Sequence, residues 1–167
     1  MAGASFNIDF SKMNNVFGTA MSRLSDLQQL SDALGEQLVS STIERFENET
    51  GPDGEKWKPS RRAEDEGGQT LSDTGLLKNS INYEASPSAV VVGTTDSVKG
   101  AIHQFGGTIK PKQANALKFE TPNGFVTVKQ VKMPARPYIG INNEDIKEAK
   151  AAIALFMRRG FGGYRGK

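Results

Sequence analysis

The 167 residues include no cysteine, which excludes disulfides, thiolate metal sites and cysteine nucleophiles and suits a chain made in a reducing compartment. Histidine is almost as scarce. His103 is the only one, so a zinc centre would have to be completed by carboxylates, and no Asp or Glu lies near it in sequence. No apolar run approaches the ~20 residues that cross a bilayer. The start, Met1-Ala2-Gly3-Ala4-Ser5-Phe6, lacks a basic region followed by an apolar one, so a soluble, unexported protein with no membrane partner is expected. No phosphate loop, dinucleotide fingerprint, calcium loop, zinc-finger spacing or Gly-x-Ser-x-Gly elbow occurs, which argues against an enzyme and against any cofactor or metal. Apolar residues make up only 37% of the chain while Gly numbers 18, so extended loops or surfaces completed by a partner are expected.

Net charge is only +2, but it is unevenly distributed. Residues 1–70 carry twelve acids and seven bases, residues 101–142 six bases against Glu120 alone, and residues 143–167 six bases against three acids. Such polarity fits a nucleic-acid surface, or a subunit whose acidic part meets a neighbour's basic part, or charges merely solvated on different faces.

Periodicity points to an α+β chain of N-terminal helices, a mainly antiparallel β-sheet and a C-terminal helix packed on it. Phe10, Met13, Phe17, Met21 and Leu24 follow helix spacing, as do Leu27, Leu30, Leu34 and Leu38, then Val39, Ile43 and Phe46. A short first helix is therefore expected before a longer one that ends near Glu49, ahead of Gly51-Pro52. Residues 50–72 lack periodicity and read as a loop, with Pro52-Asp53-Gly54 as a turn and Trp57 anchoring the far end on the core. A short helix at about 74–80 leads to strand candidates at 82–85, 89–93, 101–109, 116–120 and 125–133. Pro122-Asn123-Gly124 joins the last two as a hairpin. Asn142 or Asn143 caps the final helix, Ile146, Ala149, Ile153 and Phe156 form its buried face, and Gly160 ends it. The expected organisation is a single domain: an N-terminal helical arm over 1–24, a core over 25–159 and a flexible, basic, Gly-rich tail over 160–167.

Three features invite a chemical reading. Asp73-Thr74-Gly75 matches the aspartic-protease triplet, in which paired acids share a proton, but the helical look of the run from Leu76 to Ile81 favours Asp73 or Thr74 as a helix cap. His103 and Gln104 suit hydrogen bonds to backbone at a strand end, with Phe105 packing and Gly106-Gly107 turning the chain; a subunit contact would use the same groups. The terminal run from Arg158 to Lys167 has the cations, glycines and aromatics of single-stranded nucleic-acid binders, and also of a frayed terminus. A nucleic-acid-binding module using the basic C-terminal half is thus an alternative function.

The most informative segments are Ala101-Ile102-His103-Gln104-Phe105-Gly106-Gly107 and Ala135-Arg136-Pro137-Tyr138-Ile139-Gly140-Ile141. Each joins an apolar run to a Gly or Pro at a sharp bend, as a loop fixed against a sheet would. They follow Arg45-Phe46, Asp53-Gly54-Glu55 with Trp57-Lys58-Pro59, the segment 73–81 and Val92-Gly93-Thr94. In this order, over about residues 25–142, the series resembles the phage virion morphogenesis family, also called tail completion proteins. The loop 61–69 and the tail after Arg159 match no feature of that family. The resemblance implies a non-enzymatic structural protein of a tailed phage or prophage, assembled in the bacterial cytoplasm. It would complete or terminate the tail tube at the neck as a hexameric ring. Its partners would be its own copies, the tail tube protein and the head-tail connector proteins, with packaged DNA close by. His103, Gln104, Phe105, Gly106, Arg136, Pro137 and Tyr138 are the candidate subunit or neck interface, although Pro137 could equally end a loop and Tyr138 pack inside. Trp57, Asp73 and Gly75 are candidate structural anchors, and loops 50–72 and 106–116 the candidate contacts along the neck axis.

Overall fold

The computed structural model describes residues 6–9, 27–121 and 124–161. Along the chain lie β1 (Phe6–Asp9), α1 (Leu27–Asn48), α2 (Arg61–Glu66), α3 (Leu76–Asn79), β2 (Ile81–Ser86), β3 (Ala89–Thr94), α4 (Ser97–Phe105), β4 (Gly107–Ile109), β5 (Leu117–Thr121), β6 (Gly124–Val128), β7 (Val131–Met133) and α5 (Asn143–Phe161). The class is α+β, with every strand pair antiparallel among the described residues and a C-terminal helix. The expected first helix, at 10–24, falls outside the described residues.

Strand β3 is the centre of a three-stranded sheet, paired to β1 from Phe6↔Val92 to Asp9↔Ala89 and to β2 from Ile81↔Thr94 to Ser86↔Ala89. Its period-two pattern buries Val90, Val92 and Thr94 on one face. Leu30, Leu34 and Leu38, one turn apart on α1, pack with Val90, Val92 and Ile81, and Ala149, Ala152, Ile153 and Phe156 of α5 lie against this core. Gly35 is the point of closest approach, since a Cβ there would stand 2.2 Å from the Tyr83 ring. Ring and helix backbone meet only because the side chain is missing.

Helix α1 stops at a bend that the sequence marks only by Gly51-Pro52. Glu49 takes φ 51°, and the Thr50 N–H donates to the Arg45 carbonyl at 3.0 Å, a left-handed C-terminal cap of the kind glycine usually makes. Glutamate is kept there by other bonds: its carboxylate accepts from the Thr70 N–H and its carbonyl from the Trp57 N–H at 2.8 Å. Glu49→Ala is therefore expected to lose about 1–2 kcal/mol, since it keeps the strained φ and loses the acceptor. Glu49→Gly should lose about 1 kcal/mol less, because the strain goes with the bond. Urea denaturation of the two variants checks the order.

Several expectations are corrected. The 101–109 strand is instead helix up to Phe105, followed by the three residues of β4. Asp96 begins the helix, its carboxylate accepting from the Lys99 N–H at 3.0 Å, and Val98, Ala101, Ile102 and Phe105 follow at helical spacing. Loop 50–72 contains a capped helical turn, α2, where the Ser60 hydroxyl accepts from the Ala63 N–H at 3.2 Å. The 125–133 strand is two strands, β6 and β7. The helix expected at about 74–80 is the single turn α3, preceded by Gly75 at φ 73°; of the two expected caps, it is the Thr74 hydroxyl that accepts from the Leu76 N–H, at 3.5 Å. Helix α5 runs through Gly160 to Phe161, and its residue Ile146 is 43% exposed, so the buried face is Ala149, Ala152, Ile153 and Phe156. Strand β5 pairs with β6 from Leu117↔Val128 to Thr121↔Gly124, the hairpin that the Asn-Gly turn implied.

Candidate functional site

Residues 135–141 belong to no helix or strand, yet Arg136, Tyr138 and Ile139 within them are buried. Buried backbone outside regular structure needs other hydrogen-bond partners, and here side chains from several elements supply them. From α4, the Gln104 amide oxygen accepts from the Tyr138 and Ile139 N–H groups, at 3.0 Å each, and its NH₂ donates to the Ile139 carbonyl at 2.9 Å. Its neighbour His103 offers its carbonyl to the Arg136 N–H at 2.7 Å. From α1, Arg45 donates to the Tyr138 carbonyl at 3.1 Å and to the Gly140 carbonyl at 3.0 Å. The Trp57 indole donates to the Pro137 carbonyl at 2.8 Å. Arg136 reaches the other way, to the carbonyls of Lys58 at 2.6 Å and Pro59 at 3.1 Å.

Aromatic packing fills the space between. Phe46, fully buried, stands edge-on to Trp57 at 5.4 Å between centroids and tilted to Tyr138 at 5.1 Å. Beneath lies a buried ion pair, Arg45 with Asp145. The same carboxylate accepts from the Ser41 hydroxyl and from the Asn142 N–H at 2.9 Å, while the Asn142 side chain accepts from the Asp145 N–H at 2.8 Å. That reciprocal pair caps α5, so one acid starts the last helix and neutralises the arginine of the first long one.

Three titratable groups of the cluster are perturbed, Arg136 among them, pushed down by burial with Glu64 opposing. Burial, then the nearby Arg136, pushes His103 below its ordinary value, with Asp96 opposing, so the imidazole is neutral near pH 7. Burial first and Asp96 second push the Tyr138 phenol up to about 12. Its hydroxyl has no hydrogen-bond partner among the described residues. The unfolded chain releases that proton near pH 10 and the folded chain near 12, so stability present below pH 10 is lost as pH rises through this window. The loss is about 2–3 kcal/mol. Tyr138→Phe is expected to change stability at pH 7 by less than about 1 kcal/mol and to remove that part of the alkaline loss, as chemical denaturation at pH 8 and pH 11 would show.

The structure thus gathers most of the marked residues into one cluster. Gln104, His103, Gly106, Arg136, Pro137, Tyr138 and Trp57 meet there, with Arg136 and Tyr138 turned inward. Phe105 does not pack as expected and is 70% exposed, because the turn of α4 that aims Gln104 inward aims it outward. Asp73 lies apart, largely exposed and 3.5 Å from Arg62, so it neither caps α3 nor resembles a buried acid pair. Sequence reasoning gives no role in this cluster to Arg45 and treats Asp145 only as a first-turn acid. The available signal is register: Arg45 falls two turns after Leu38 on the stripe that α1 buries.

Two clefts of opposite charge flank the cluster. One, about 940 Å³, lies between α1, residues 50–54 and the start of α5, and its acids are Glu44, Asp53, Glu144, Asp145 and Glu148. The other, about 570 Å³, is lined by Lys58, Arg61, Arg62, Lys99, Lys132 and Arg136, with Glu64 and Asp73 as its acids. Among the described residues no group of three or more His, Asp or Glu is arranged to hold a metal ion, and no helix is long and apolar enough to cross a membrane.

This is an α+β scaffold whose marked residues hold one loop in place. The sequence model of the phage virion morphogenesis family matches residues 8–156, and the chain belongs to that family. It is a structural protein of the phage virion. No curated protein and no solved structure matches it.

Proposed function

We propose that the protein completes or terminates the tail tube and joins it to the head at the neck, as a closed ring of identical copies, hexameric in number. The observation that carries this reading is the family match over residues 8–156. The cluster supports it, since the Gln104 and Arg136 side chains and the His103 carbonyl are spent on backbone, which presents a rigid loop. No catalysis and no cofactor enter this role. The interface residues, by this reading, are the outward members of the marked set, Phe105 above all, with loops 50–72 and 106–116 reaching the tail tube protein on one side and the head-tail connector proteins on the other.

The test is a phage or prophage in which the gene is interrupted and then supplied in trans. Filled heads and unjoined tails, rejoined on complementation, together with an antibody label at the neck of complete virions, are expected. Joined particles without the protein, or a label along the tail shaft or at the baseplate, would overturn the reading.

A further inference from the structure

Among the described residues, strands β4 to β7 contribute no side chain to the buried core or to the partly buried residues packed on it. They form two separate two-stranded ribbons, β4 with β7 and β5 with β6. Isolated two-stranded ribbons are marginally stable in water, so this arm needs a surface to lie on. Pairing places Leu117, Phe119, Val126 and Val128 on one face of the β5–β6 ribbon, and Lys118, Glu120, Phe125 and Thr127 on the other. Phe119 is 40% and Phe125 67% exposed, with the Lys118 ammonium 4.5 Å over the Phe125 ring. Residues 107–133 carry five lysines against Glu120.

We propose that this arm seats in the acidic cleft of a second copy of the chain. Arg45, the one basic residue lining the cleft among the described residues, is already buried and paired with Asp145, and Glu144 pairs with Lys147 at 2.9 Å, so Glu44, Asp53 and Glu148 are the acids that face a basic visitor with no ion pair of their own among the described residues. Pro52, Ile141 and the 43%-exposed Ile146 give it apolar surface for Phe119 or Phe125. Arm and cleft use different elements, so each copy gives its arm to one neighbour and its cleft to the other, a head-to-tail contact that closes into a ring when the rotation permits. The inference rests on the ring reading above and names its surface.

Charge reversal tests it, read by sedimentation and native mass spectrometry at two salt levels. Lys112→Glu, Lys118→Glu and Lys129→Glu reverse the arm, leaving two lysines against four acids; Glu44→Lys, Asp53→Lys and Glu148→Lys reverse the cleft, leaving Glu144 and Asp145 against four bases. All six side chains are exposed, so circular dichroism should report unchanged folds. Each variant alone is expected to self-associate at least tenfold more weakly than the parent, and a mixture to assemble with the two alternating, since each acidic arm then meets a basic cleft and the reverse. Variants that assemble as the parent does, a mixture that stays apart, or a parent that is monomeric at every concentration and salt would overturn the inference. The neck reading would stand or fall separately, on the labelled virions.

Discussion

Arg45→Met is expected to destabilise the fold by about 3–5 kcal/mol. Arg45 is 4% exposed and Asp145 3%, so the substitution strands a carboxylate away from water. It also removes the donors that hold the carbonyls of Tyr138 and Gly140. A domain of this size is commonly stable by about 5–15 kcal/mol, so much of its margin would go. The control is Asp145→Asn, which keeps the shape and removes the charge. In the Asp145→Asn background the arginine no longer balances a charge, and Arg45→Met should then cost at least about 1 kcal/mol less than it does alone. Equal losses in both backgrounds, measured by urea denaturation, would mean that the pair is not coupled.

Gly106→Ala is the second large effect, expected at about 3 kcal/mol or more. Gly106 ends α4 at φ 69° and ψ −175°, a region essentially closed to residues with a Cβ. A Cβ there would also stand 2.7 Å from the Ala135 nitrogen and 3.0 Å from the Met133 carbonyl. Both are backbone atoms, which cannot swing aside. The substitution pushes the end of α4 away from the clamped segment and should loosen the Gln104 bonds as well. Hydrogen exchange at the Tyr138 and Ile139 amides reads this directly: protection should fall there, whereas Gly54→Ala, at φ 80° but with open space around it, should leave them protected.

Much of this fold is legible in the sequence where periodicity is long or a turn residue is specific. The Leu30, Leu34, Leu38 stripe marks α1, the acids after Asn142 mark the start of α5, and Asn-Gly marks the β5–β6 hairpin. The link between residues 101–107 and 135–141 is visible only as two bends of similar character; that they touch depends on tertiary structure. Helix α4 reads as strand because Ile102 and Phe105 dominate the pattern and obscure Asp96, whose single carboxylate starts the helix. Strand β1 leaves no periodic signal, four residues being too few for one. The pairing of Arg45 with Asp145 is not legible at all. Each has an ordinary local explanation, as last-turn base and first-turn acid, and nothing local says that they meet.

That pairing has a consequence for how the chain is made. A ribosome adds about 5–20 residues per second, so Arg45 emerges roughly 5–20 seconds before the acid that neutralises it, 100 positions later. Throughout that interval α1 carries a charge on the face it must bury, and the carbonyls that Arg45 will hold do not yet exist. Synthesis must therefore pass residue 145 before the centre of the molecule can close, so the last contact to form in the core joins its two helices most widely separated along the chain.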